Sequence, residues 1–315
     1  MSRFTFFEDQ EIVPETKQTV MPQPAATTNN PVPTEQFRYR CEQTVVVKQT
    51  GVVKTHAETK REFLVSKVFS IPHNNFIYDV NIVDNVISFY PSSMQDMMNL
   101  MCRIDDVKCN ALVQPNADTG KIQAILNQDK IVENWQALKN ELQEKYSYVR
   151  DKKTRSEIEQ FMEALDHQFK NQQSLIIDLD TKMFFDLFFD KYLVGKDDFA
   201  TPYTLNFNSQ LFNDVPLHIT MQPMITGESV TTVAVTKLSK VEKSASLMQA
   251  IEARYNERIK PTIGYKFSDY AFSYRVTANI DTQQNMINEA SISILEEIKN
   301  NVQLLTNYTL KRVDL

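Results

Sequence analysis

Two stretches of period-two alternation flank one block of period 3.6, and this grouping limits the architecture more than any single motif does. In the first stretch Phe37, Tyr39, Cys41, Val45 and Val47 share one parity, and Phe76, Tyr78, Val80 and Ile82 repeat the pattern. Such alternation marks strands with one face on a core and the other in water. Asp84-Asn85, between Ile82-Val83 and Val86-Ile87, predicts a two-residue hairpin turn, because both residues tolerate positive φ. Ser93–Arg103 reads as a short helix. Val107, Cys109, Ala111 and Val113 then alternate toward a turn at Asn116–Gly120, and the chain returns through Ile122, Ala124 and Leu126.

The period changes over residues 128–193. Ile131, Trp135, Leu138, Leu142 and Tyr146 lay one apolar stripe on a helix. Ser156–Glu159 reads as a capping box opening a second helix, with Ile158, Phe161, Met162, Leu165 and Phe169 as its stripe. Leu175–Leu193 is apolar around most of its circumference and predicts a third, capped at Gly195. Alternation resumes at Tyr203, Leu205 and Phe207, at Leu217, Ile219 and Met221, and over Val230–Val235. Ser246 with Gln249 opens a helix running to about Arg258, stopped by Pro261. Tyr270–Ile280, Ala290–Ile294 and Val302–Val313 close the chain as strands, with a polar turn near Asp281–Gln284. Strands in runs with helices grouped predict an α+β fold: a largely antiparallel curved sheet or half-barrel packed against the helical segment. Residues 37–315 form that domain, with a second reading in which two subdomains meet near 195–202. Residues 1–36 read as a tail, since Pro14, Pro22, Pro24, Pro31 and Pro33 stand among small and polar residues.

Composition narrows the chemistry. The 315 residues are 42% apolar, ample for a core, yet include only five glycines, no two of them close together. Phosphate-binding loops and nucleophile elbows need closely spaced glycines, so the familiar nucleotide enzymes are disfavoured. The net charge is −6, and the short basic run Arg150–Arg155 contains Asp151 and falls between two predicted helices. No nucleic-acid or anionic-membrane surface is indicated. Three cysteines without a CxxC pair suit a reducing cytoplasm. The opening MSRFTFFEDQEIV lacks the apolar core of a signal peptide, and no run reaches the roughly 20 apolar residues that span a bilayer.

No catalytic set, metal site or cofactor is legible. His56, His73, His167 and His218 show no metal-ligand spacing, and Cys109 reads as a buried thiol on a strand face. Leu175–Thr181, with Asp178 and Asp180, resembles the phosphotransferase signature of the haloacid-dehalogenase superfamily, an apolar strand ending in DxDx[TV]. Lys182 stands where that pattern has Thr or Val, and a helical pattern follows where the superfamily has a loop. The superfamily's roles are therefore not carried to the two aspartates.

Two features point to binding. Phe4, Phe6, Phe7 and Ile12 place apolar side chains at the end of a tether with a reach of roughly 25 Å, suited to docking on a protein partner. Phe184, Phe185, Phe188, Phe189 and Tyr192 point in too many directions for one stripe, so with Trp135 they are candidates to line a cavity or interface. Three readings follow: a non-enzymatic cytoplasmic protein-binding module such as an adaptor, cargo chaperone, toxin-neutralising or assembly component; a carrier of an apolar small molecule between sheet and helices; or an enzyme whose acid and base are dispersed carboxylates.

Overall fold

The computed structural model describes residues 35–70, 75–194 and 200–314. Eleven antiparallel strands form one open sheet, ordered β5-β4-β3-β2-β1-β11-β10-β9-β8-β7-β6. The first run is β1 (Glu35–Gln49), β2 (Val52–Ser70), β3 (Asn75–Tyr90), β4 (Ala111–Pro115) and β5 (Ile122–Ile125). The second is β6 (Tyr203–Asn208), β7 (Pro216–Glu228), β8 (Thr232–Val241), β9 (Tyr270–Asp281), β10 (Met286–Ile298) and β11 (Val302–Val313). Each run is a meander, and the first and last strands zip the two together, Arg38 opposite Val313 through Gln49 opposite Val302. Helix α1 (Gln95–Cys109) joins β3 to β4; α2 (Gln128–Lys145), α3 (Lys152–Lys170), α4 (Gln172–Asp180) and α5 (Met183–Phe188) carry the chain from one sheet edge toward the other. Helices α6 (Ala245–Arg258) and α7 (Lys260–Ile263) join β8 to β9. The expected helix-backed antiparallel sheet is thus present.

The six residues of α5 show how strongly the sheet curls. Phe184 stacks on Phe63 of β2, and Phe188 meets Tyr39 of β1 and Tyr78 of β3 edge-on. Lys121, just before β5, and Tyr274 of β9 both hydrogen-bond Asp186, while Lys237 of β8 pairs with Asp190 two residues beyond the helix. From β5 to β8 is eight strand spacings, roughly 38 Å in a flat sheet. One short helix reaches both only because the sheet wraps it.

Local chemistry departs from expectation at several points. Asp84-Asn85 is no hairpin turn: β3 runs straight through, Glu62 faces Asp84 and Phe63 faces Ile82, and Val83 is left over as a bulge. Asn85 pins that bulge, accepting from Arg61 Nε (2.9 Å) and donating to Asp106 Oδ1 (2.7 Å) on α1. The turn that does form joins β1 to β2 at Thr50-Gly51, both at positive φ. Val107 and Cys109 lie on α1, not on a strand; the helix buries Ile104, Lys108 and Cys109, and alternation begins at Ala111. Helix α3 starts a turn before Ser156, capped by Asp151 accepting from Thr154 N (2.8 Å), and α6 is capped by Ser244 rather than Ser246. Leu175–Leu193 is not one helix. It breaks at Thr181-Lys182 and again after Phe188, so that α4 buries Leu175, Ile176 and Leu179 while α5 separately turns its rings to the sheet, which no straight helix apolar on all sides can do. The expected cap at Gly195 lies outside the described residues.

Candidate functional site

The residues expected to line a cavity or interface are packed against other side chains. Phe184, Phe185, Phe188, Phe189 and Tyr192 are all at most 3% exposed. Phe184 stacks on Phe63 at 3.9 Å, Phe185 on Phe189 at 6.0 Å, and the Tyr192 hydroxyl donates to the Phe188 carbonyl. Trp135 belongs to a different layer, between α2 and α3, stacked on Phe169 at 4.8 Å with Nε1 donating to Asp166 Oδ1 (2.6 Å). Phe4, Phe6, Phe7 and Ile12 lie outside the described residues.

Asp178 and Asp180 stand on helix α4, whereas the phosphotransferase signature requires a strand end. Asp178 accepts from Lys108 Nζ (3.2 Å) and Gln168 Nε2 (2.9 Å) and lies 3.5 Å from Lys182 Nζ. Lys182 also donates to Asp105 (2.6 Å), which accepts from Arg61 (3.0 Å). This chain of alternating charges ties α1, α3 and α4 to β2, each charge lying beside an opposite one, although Asp178 Oδ2 is buried without a hydrogen-bond partner, 3.5 Å from Lys182 Nζ. Cys41 and Cys109 are buried, which pushes both thiols up to about 12, away from the thiolate a nucleophile needs. His56 pairs with Glu58 (3.3 Å), and His218 Nδ1 lies 3.1 Å from Asn206 Oδ1, so each imidazole has a carboxylate or amide neighbour. His73 lies outside the described residues.

Sequence reasoning passed over the opposite face of the sheet. Strand register sets Glu42, Thr309, Ser291, Thr277 and Thr236 in one row across β1, β11, β10, β9 and β8. The next row is Arg40, Lys311, Glu289, Asn279 and Ala234. These rows floor and rim a trough of about 640 Å³ on the solvent face. It extends from β1 to Thr226 of β7, five strand spacings or roughly 24 Å. The floor is short: Thr277 and Ser291 hydroxyls lie 2.7 Å apart, and Ala234 adds only a methyl. Beside the rim residue Arg40, Glu62 of β2 accepts from Arg38 Nε (2.9 Å) and Arg40 Nε (3.0 Å), and these guanidiniums hold its carboxyl below the usual range. The signal was the polar parity of each strand, but its meaning needs β1 beside β11, a pairing between opposite ends of the chain.

No protein-family model matches the chain, and no curated protein matches it. A solved structure of lipovitellin, described as addressing lipid–protein interactions, is similar over 90% of this chain and 26% of that one, at 10% identity and a TM-score of 0.41. The chain therefore spans about a quarter of that protein's length, and the likeness is too loose to argue from. No helix among the described residues is long and apolar enough to cross a membrane.

Proposed function

We propose that this chain is a non-enzymatic protein-binding module of the cytoplasm, with the trough on the solvent face as its main docking surface. The supporting observation is the floor itself. A solvated antiparallel face ordinarily carries long charged side chains, whereas here Thr309, Ser291, Thr277 and Ala234 leave a depression with hydroxyls facing outward. A segment of a partner protein laid in it gains hydrogen bonds from the floor, and Arg40, Lys311, Glu42 and Glu289 supply the polar rim that orients it. Phe4, Phe6, Phe7 and Ile12 add a second, tethered contact in this reading. Carriage of an apolar small molecule requires the α5 rings to give up contacts they now make with one another.

The test is purification of the full chain from its native cells beside two variants. Ser291→Trp fills the trough from its floor, and Ser88→Trp places the same bulk on the outer face of β3, two strands away from β1. The expected result is a protein that copurifies with the wild type and with Ser88→Trp and is lost with Ser291→Trp. Identical partner sets for all three remove the trough from the account.

A further inference from the structure

Besides the β1–β11 pairing, side chains join the two strand runs at a second place, a seam across the end of α5 and the segment that follows it. Lys121 Nζ donates to the Asp186 carboxylate (2.9 Å) and to the Asp186 carbonyl (3.1 Å). From the other half, Tyr274 donates to the same carboxylate (3.2 Å) and Lys237 pairs with Asp190. Gly120, at φ +70°, lies so near the Asp190 carbonyl that a Cβ there would sit 2.0 Å from its oxygen, so only glycine lets the β4–β5 turn press on this segment. Residues 186–190 are thus clasped between β5 on one side and β8 and β9 on the other.

Two cations and two carboxylates balance within the clasp: Lys121 and Lys237 against Asp186 and Asp190. Asp180 upsets that balance. It is the last residue of α4, at the negative end of the helix dipole, and its Oδ1 is buried with no hydrogen-bond partner. Burial dominates and raises its pKa to about 6, with Lys121 opposing the rise and Asp186 adding to it. Lys108 and Gln168, from α1 and α3, are turned to Asp178 instead, and Lys182 is engaged by Asp105 and Asp178. Lys191 lines the small cleft of about 190 Å³ beside the clasp.

We propose that the clasp is a proton-operated device: protonation of Asp180 tightens the seam, and its ionisation loads the seam with an uncompensated negative charge and loosens it. The sign follows from linkage. A carboxyl whose folded pKa is raised contributes stability that is complete at low pH and is lost as pH climbs through the folded value, here about 6. The trough takes no part in this.

Two measurements on the full chain test it. A carboxyl-carbon NMR titration of Asp180 in the wild type is expected to have its midpoint near 6. Amide exchange, corrected for intrinsic rates, is expected to quicken about tenfold over residues 116–125 and 183–194 between about pH 5 and about pH 7.5, with β10 and β11 unchanged. In Asp180→Asn the same segments keep their acid-side protection throughout. A midpoint near the ordinary aspartate value of about 4 overturns the proposal, as does seam exchange with the same pH course in wild type and variant. The titration needs no variant, so it decides the matter even where Asp180→Asn fails to fold.

Discussion

The two faces of the same strands solve opposite problems. On the inner face, Tyr39 and Tyr78 meet the rings of the α5 segment, and Ile292 and Tyr308 are buried in the same core. On the outer face, one residue along, Arg40, Asn279, Ser291 and Thr309 leave a trough. The inner face is over-determined, because each ring touches several others and rearranging one disturbs the rest. The outer face has almost no internal obligations, which leaves it open to an external one. In a curled sheet, stability and recognition can therefore be sorted by residue parity alone.

That contrast has measurable consequences. The largest effect belongs to the inner face: Phe188→Ala, at a fully buried site touching Tyr39, Tyr78 and Phe189, should cost about 4 kcal/mol in denaturant unfolding. A loss under about 1 kcal/mol would mean that the rings of α5 are not packed as described. Next, Asp178→Ala strands Lys108, only 5% exposed at its side chain, beside a vacant position and should cost about 3 kcal/mol. Lys108→Met in the same background should recover part of that loss, and failure to recover would separate the network from the stability effect. Smaller again, Asp180→Asn should stabilise the chain by roughly 1 to 2 kcal/mol at about pH 7.5 and by nothing at pH well below 4. Thermal melts across that range check the sign. Smallest, Ser291→Ala on the outer face should change stability by less than about 0.5 kcal/mol. A larger loss would place Ser291 among the residues that hold the fold.

What was legible in the sequence follows from the range of the interactions. Period-two runs at Tyr270–Ile280 and Val302–Val313 need only a neighbour on each side, and both appear as strands. The start of α3 was misplaced: Ser156–Glu159 has capping-box chemistry, but Asp151, five residues earlier, is also a capping residue type, and it is Asp151 that accepts from Thr154 N. Asp84-Asn85 has turn chemistry, yet Arg61 and Asp106 recruit Asn85 into a bulge, a contact set by tertiary structure. The trough was illegible for a stronger reason: its floor is assembled by pairing β1 with β11, some 270 residues apart. The breaks in the α4–α5 segment were equally hidden, since an all-round apolar helix and three short turns in a cup share one composition.

The most direct test of the docking account is a photo-crosslinking amino acid placed at Thr309, on the trough floor, in the full chain within its native cells, beside the same residue at Ser88 on the outer face of β3. The account predicts a discrete crosslinked protein from position 309, abolished by Ser291→Trp, and none in common from position 88. Equal crosslinking from both positions, or a product indifferent to Ser291→Trp, would contradict it.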